Sequence, residues 1–221
     1  MQRLTGRRRR HAKAAAAPWA ALPLALVLIA FTGCGGGGSK KAASAPCPTR
    51  GKDVSFQLLD KSKPYTVHVL TNLGSFAVRL DVDDSPCTTS SFAALVRKRF
   101  FDGTIFHRIV PGFVIQGGDP TGTGRGGPGY TVADVPPRDS LYTKGVVAMA
   151  KTAAEPAGTA GSQFFVVTTQ AAPWLDGKHT VFGRVTDGMD VVDAISAVET
   201  DSGDKPREPV TIERAEVGGP A

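Results

Sequence analysis

The chain has 221 residues, a formal charge of +6, 41% hydrophobic and 21% charged residues, and three cysteines. That length accommodates one ordinary domain with attachments. The charge lies almost wholly in residues 1–33, where Arg3, Arg7, Arg8, Arg9, Arg10 and Lys13 meet no acid; this leaves 20 of the 26 basic residues against 20 acidic ones, and excludes nucleic acid as a partner of the folded part.

The N-terminus carries the three parts of an export signal: basic GRRRRHAK, apolar WAALPLALVLIAF, then small residues and a cysteine, FTGC. It resembles a bacterial lipoprotein signal. The resemblance implies cleavage before Cys34, lipidation of Cys34, and a protein held on the extracytoplasmic face of the cell membrane. Phe31 stands where that pattern prefers leucine, whereas Thr32 and Gly33 fit it. An ordinary signal or an uncleaved membrane anchor is the alternative, since residues 14–33 are uncharged and just long enough to span a bilayer. Pro18 and Pro23 weaken that stretch as a helix. Residues 35–46, GGGGSKKAASAP, read as a flexible tether reaching about 20 Å root-mean-square. The expected division is a signal over 1–33, a lipidated tether and lead-in over 34–63, a folded domain over 64–217, and a tail over 218–221.

With Cys34 assigned to lipid, Cys47 and Cys87 form an even pair. In an oxidising compartment the pair is compatible with a disulfide, and two free thiols are the alternative. No CxxC or His-x-His spacing occurs, so neither metal nor cofactor is expected.

Along the domain, YTVHVLTNLGSFAVRLD (65–81) alternates apolar and polar residues around Asn72-Leu73-Gly74 and predicts a hairpin. Asp84-Ser85-Pro86 starts a helix, with Phe92, Leu95 and Val96 in helical step and an end near Arg99. Strands are predicted over 104–109, 114–117, 145–150, 162–169, 180–188 and 210–217, and a helix over 189–198. In 162–169, Phe164 and Val166 face one side, and Phe165 and Val167 the other. Residues 117–130, GGDPTGTGRGGPGY, contain a formal GxGxxG. Pro128 and Gly129 follow it, where a dinucleotide fingerprint needs a helix start, so it reads as a structural loop. Many short strands with two helices suggest a closed, mostly antiparallel barrel; periodicity alone does not choose it over a sandwich.

The blocks FHRIVPGFVIQGGD, GVVAMA, GSQFFV and WLDGKHTVFGRV, in this order, resemble the cyclophilin family of peptidyl-prolyl cis-trans isomerases over about residues 64–217. The resemblance implies a mainly β fold, a closed eight-stranded antiparallel β-barrel capped by two α-helices, with a groove on its outside. It implies Arg108 as the catalytic arginine. It implies Phe113, Val114, Gln116, Ala150, Lys151, Gln163, Phe165, Trp174, Leu175 and His179 as groove residues. Val114 stands where relatives often carry methionine, and Lys151 where many carry asparagine. Residues 152–160, TAAEPAGTA, resemble bacterial members. Trp174 implies binding of the cyclic peptide cyclosporin. The expected partners are proline-containing polypeptides, here exported proteins, met by a monomer without a cofactor.

The residue types suit that chemistry. Rotating an X-Pro bond takes tens to hundreds of seconds unaided, because resonance spreads the nitrogen lone pair into the carbonyl. In the twisted amide the lone pair localises. A sheltered guanidinium, always charged and rigidly forked, can donate to it or hold the carbonyl oxygen. A proline-peptide-binding module with little turnover is the alternative, against which Arg108 argues. A hydrolase built on Ser162, His107 and Asp119 lacks the strand-to-helix elbow of a serine nucleophile.

Overall fold

Burial alternates residue by residue along Thr66–Thr71, whereas Val146–Met149 and Phe164–Val167 are buried at every position because both of their faces are covered. The structure, a computed structural model, describes residues 47–136, 141–175 and 177–219. Its strands are β1 (Thr49–Gly51), β2 (Thr66–Thr71), β3 (Gly74–Leu80), β4 (Arg108–Val110), β5 (Val114–Gly117), β6 (Tyr130–Ala133), β7 (Val146–Met149), β8 (Thr159–Ala160), β9 (Phe164–Val167), β10 (Val181–Asp187) and β11 (Ile212–Gly218). Two α-helices, α1 (Pro86–Arg97) and α2 (Met189–Ser196), and a 3₁₀ turn over Pro173–Leu175 complete the described elements. The expected strand over 104–109 is shorter, because its first residues leave the ladder to make isolated bridges from Ile105 to Asp119 and Thr211.

Eight strands form one antiparallel sheet in the order β11-β2-β3-β10-β7-β9-β5-β4. The sheet and its two helices match the expected architecture; the closed barrel is corrected to a curled, incompletely closed sheet. Its end strands β11 and β4 do not pair along a ladder. Residues before β4 instead meet those around the start of β11, through the Ile105–Thr211 bridge and hydrogen bonds from Phe106 N to Val210 O (2.9 Å) and Gly103 N to Ile212 O (2.7 Å). A register shift between Ile212 and Arg214 accompanies this bend.

The curl separates two apolar faces. The inner face holds the main core, including Phe76, Phe92, Phe101, Phe106, Ile109, Ile115, Phe164, Val166 and Phe182. The outer face carries a smaller cluster of Val114, Tyr142, Val146, Ala148, Phe165, Val167 and Ala172. Adjacent residues of β9 thus go to opposite clusters, as the two-residue period requires. Helix α1 begins with Pro86, which has no N–H to leave unpaired, and Ser85 gives it no side-chain cap. The Asp134 carboxylate beyond β6 accepts from Cys87 N (3.2 Å) and Thr88 N (2.7 Å) instead.

A second sheet, β1-β6-β8, lies outside the sequence expectations. Its three-residue β1 and two-residue β8 are too short to show a period. Strand β1 is held by its pairing to β6 and by a disulfide from Cys47 to Cys87 of α1, with Cα atoms 5.5 Å apart and a sequence separation of 40. Replacing both cysteines by serine is expected to lower unfolding free energy by about 3–4 kcal/mol, the loop-closure entropy of a bridge this long. Urea midpoints of the oxidised wild type and the double variant check it.

Candidate active site

Strand register builds the site. Arg108 of β4 is the Cα partner of Gln116 of β5, Gln116 of Phe165 in β9, and Phe165 of Ala148 in β7. Directly opposite residues share a face, so Arg108, Gln116 and Phe165 stand in one row on the outer face. The next row is Val110, Val114 and Val167. Between β4 and β5 the chain turns through Pro111-Gly112. Gly112 has φ +67° and Phe113 N donates to Val110 O at 3.0 Å, a turn in which proline presets the second position and glycine supplies the third.

These rows leave a cleft of about 180 Å³ lined by Arg108, Phe113, Val114, Gln116, Ala150, Lys151, Phe165, Leu175 and His179. Phe113, Val114, Phe165 and Leu175 form its apolar walls. Two groove residues expected from sequence lie beside it. Trp174, 57% exposed, packs its ring on Phe113 with centroids 5.5 Å apart. Gln163 lines a neighbouring pocket, donates to Gly126 O (2.9 Å), and accepts from Gln116 Nε2 (3.1 Å). Gln116 therefore pairs with Gln163 rather than with Arg108.

Arg108 has a partner that sequence reading missed. Its Nε lies 3.3 Å from Oδ2 of Asp204, both side chains being 40% exposed. Asp204 sits in a turn with φ +65°, and its carbonyl accepts from Ile109 N at 2.7 Å, which ties the turn to β4. The stretch TDSGDKP signals a turn and nothing more. The ion pair engages Nε and leaves the terminal amino groups of the guanidinium without a hydrogen-bond partner among the described residues.

His179 is oriented by Met149 O, 3.0 Å from its Nδ1. A carbonyl only accepts, so Nδ1 carries the proton. Its ring meets Phe165 edge-on at 5.3 Å. Burial, with Lys151 and Lys178 nearby, holds its pKa below the ordinary imidazole value. It is neutral at pH 7 and can line the cleft without adding charge. His107, adjacent to Arg108, is buried, and its pKa is likewise lowered by burial.

The glycine-rich loop after β5 is organised by buried Asp119. Its carboxylate accepts from Thr121 N (2.7 Å), Thr121 Oγ1 (2.8 Å), Thr123 N (3.1 Å) and Gly126 N (3.1 Å). Burial pushes its pKa up, but these donors outweigh it and bring it to about 2. A carboxyl depressed on folding stabilises the folded state above its unfolded pKa and loses that effect as pH falls through its folded one. Asp119 is therefore expected to contribute about 2 kcal/mol above pH 5, lost progressively toward pH 2. Urea midpoints of wild type and Asp119→Asn across that range should converge as the acid is protonated. Asp119 is thus saturated by its own loop, and Ser162 Oγ donates to Gly118 O at 2.7 Å. Neither is poised for hydrolytic chemistry.

A family model described as cyclophilin type peptidyl-prolyl cis-trans isomerase/CLD matches residues 66–217. The chain belongs to this family. Among curated relatives of the cyclophilin domain, peptidyl-prolyl cis-trans isomerase ppi1 of Schizosaccharomyces pombe is 44% identical over 153 residues, 67% of this chain and 96% of its own. Peptidyl-prolyl cis-trans isomerase-like 1 of Homo sapiens is 43% identical over 164 residues, 72% of this chain and 96% of its own. A crystal structure of a cyclophilin type peptidyl-prolyl cis-trans isomerase from Cryptosporidium parvum superposes with a TM-score of 0.65 at 30% identity, covering 72% of this chain and 99% of that one. A second, determined in the presence of the dipeptide Ala-Pro, gives 0.63 at 31% identity, covering 69% and 98%. The protein is a peptidyl-prolyl cis-trans isomerase of the cyclophilin type.

The same relatives overturn the expected localisation. They are isomerases of fungi and mammals, matched over the domain, and not a bacterial lipoprotein form. Among the described residues no helix is long and apolar enough to cross a membrane. The lipid-anchored, extracytoplasmic placement falls, and with it the restriction to exported clients. The expectation rested on the order of basic, apolar and small residues, a compositional pattern that does not itself fix cleavage or lipidation. Cys34 and the remainder of residues 1–46 lie outside the described residues.

Proposed function

We propose that Arg108 is the group that lowers the barrier to X-Pro rotation, and that the cleft beside it seats the proline ring. The observation that carries this is a guanidinium, held at Nε by Asp204, at the edge of an apolar cleft of about 180 Å³. Phe113, Val114, Phe165 and Leu175 bury the ring. The terminal amino groups of Arg108 are available to the amide nitrogen or carbonyl oxygen as the bond twists. A preorganised donor of this kind costs no reorganisation during the reaction. Gln116, fixed by Gln163, and the backbone at Ala150 and Lys151 position the flanking peptide. His179 stays neutral and shapes the wall.

The Phe113–Trp174 pair at the rim supports cyclosporin as a ligand of the same groove. The isomerase domain is assigned to residues 64–217. The deciding experiment is two-dimensional NMR exchange on an X-Pro peptide with catalytic amounts of the full chain. Accelerated exchange that is competed away by cyclosporin supports both assignments. Peptide binding without acceleration would convert the cleft into a binding site only.

A further inference from the structure

The cleft is continuous with a second, larger pocket of about 670 Å³, the two sharing Gln116, Ala150 and Lys151 as a common wall. Strand β1, outside the segment that the family model matches, supplies Arg50 and Gly51 to its far wall, and the glycine-rich loop, inside that segment, supplies Arg125. The wall is fixed in place. Arg50 pairs with Thr131 of β6, Lys52 N donates to Gly129 O at 2.9 Å, and the disulfide at Cys47 ties the strand to α1. The fit at Gly51 is close, because a Cβ there would lie 2.6 Å from Gly129 O.

The charge in this pocket is one-sided. Arg50 and Arg125 are exposed, and neither side chain has an ion pair or hydrogen bond among the described residues. Lys151 Nζ is held by two backbone carbonyls, those of Thr152 (3.1 Å) and Glu155 (3.0 Å), so its charge is uncompensated. Among the described residues Glu155 is the one acid lining the pocket, and its carboxylate is turned to Thr152, accepting from its N (2.6 Å) and Oγ1 (2.9 Å). Three cations against one occupied carboxylate make a site for an anion reached from the proline cleft.

We propose that this pocket binds a carboxylate side chain of the substrate polypeptide, close in sequence to the proline, and that Arg50 and Arg125 make the enzyme prefer acidic flanks. The proposal rests on the proline-cleft assignment above. Arg50 acts here as a specificity residue brought by the chain's own N-terminal strand.

The test uses the full oxidised chain and short peptides carrying Glu, Gln or Lys at each of the two positions before and after a single proline. Affinity is read by chemical-shift titration at about 20 mM salt, where screening is weak, and rate by NMR exchange. At the best position Glu is expected to bind about five- to ten-fold more tightly than Gln, and Lys more weakly than Gln, with the spread shrinking in 0.5 M salt. In Arg50→Ser/Arg125→Ser the Glu-to-Gln ratio should approach one. In Arg50→Glu/Arg125→Glu the order should invert toward Lys, a gain that misfolding cannot produce. Equal binding of all three peptides by wild type, or an unchanged ratio in both double variants, would overturn the proposal. Because affinity is read separately from exchange, loss of the isomerase assignment would show as no acceleration of the Gln peptide, whatever the charge preference.

Discussion

Alanine in place of Arg108 is expected to lower kcat/KM for X-Pro isomerisation by about 10²–10³-fold, the usual cost of removing one preorganised donor from a transition state. The fold should survive. Arg108 is 40% exposed, and its ion pair with Asp204 is equally open to water; exposed pairs contribute about 0–1 kcal/mol. Wild-type and variant urea midpoints should therefore agree closely while exchange rates differ by orders of magnitude. Lysine at the same position separates charge from geometry. It keeps the cation but loses the planar fork and the Nε that Asp204 holds. If charge alone mattered, Arg108→Lys would retain most activity; with directed donation it should fall well below wild type. A loss smaller than about ten-fold in Arg108→Ala would remove Arg108 from the reacting centre and turn attention to Gln116, its cross-strand neighbour.

What sequence could reveal of this site follows the range of the interactions. The row Arg108–Gln116–Phe165 is built by short strands whose alternation is plain in FHRIVPGFVIQGG and SQFFVV, so their faces could be read before their partners were known. Asp204 could not be read this way. Nearly a hundred residues separate it from Arg108, and its placement depends on a left-handed turn and on the bend that brings the sheet ends together. The same bend shortens β4. A period-2 pattern predicts an extended chain at Thr104 and Ile105, but not whether that chain joins a ladder or crosses to Thr211. Strand β1 fails for a different reason: Thr49-Arg50-Gly51 has no pattern at all, and only its pairing to β6 and the bridge at Cys47 define it. Asp119 belongs to the hydrolase reading that the missing nucleophile elbow already excludes, and its hydrogen bonds, which come from its own loop, exclude it independently.

Phe92→Ala should be the most damaging of the core truncations, at about 3–5 kcal/mol. The ring projects from α1 into the inner face of the sheet, 5% exposed, with centroids 4.8 Å from Phe101, 5.5 Å from Phe164 and 4.7 Å from Phe182. Alanine removes the shared partner of three rings from different elements, and none of them can collapse into the space without leaving its own strand or turn. Phe92→Leu refills part of the volume and should cost clearly less than Phe92→Ala, since the residual cavity sets the spread at a fixed site. Urea unfolding checks both, with an unchanged m-value showing that stability rather than compactness has moved. The catalytic consequence is separable. Phe164 packs against Phe92 on the inner face, while its neighbour Phe165 walls the cleft on the outer one. Backbone pairing of β9 to both β5 and β7 fixes Phe165 independently of what fills the space beneath. At 10 °C, with the variant still folded, kcat/KM should thus stay within a few-fold of wild type. A loss of activity in proportion to the lost stability would mean that the sheet transmits inner packing to the cleft instead of partitioning the two.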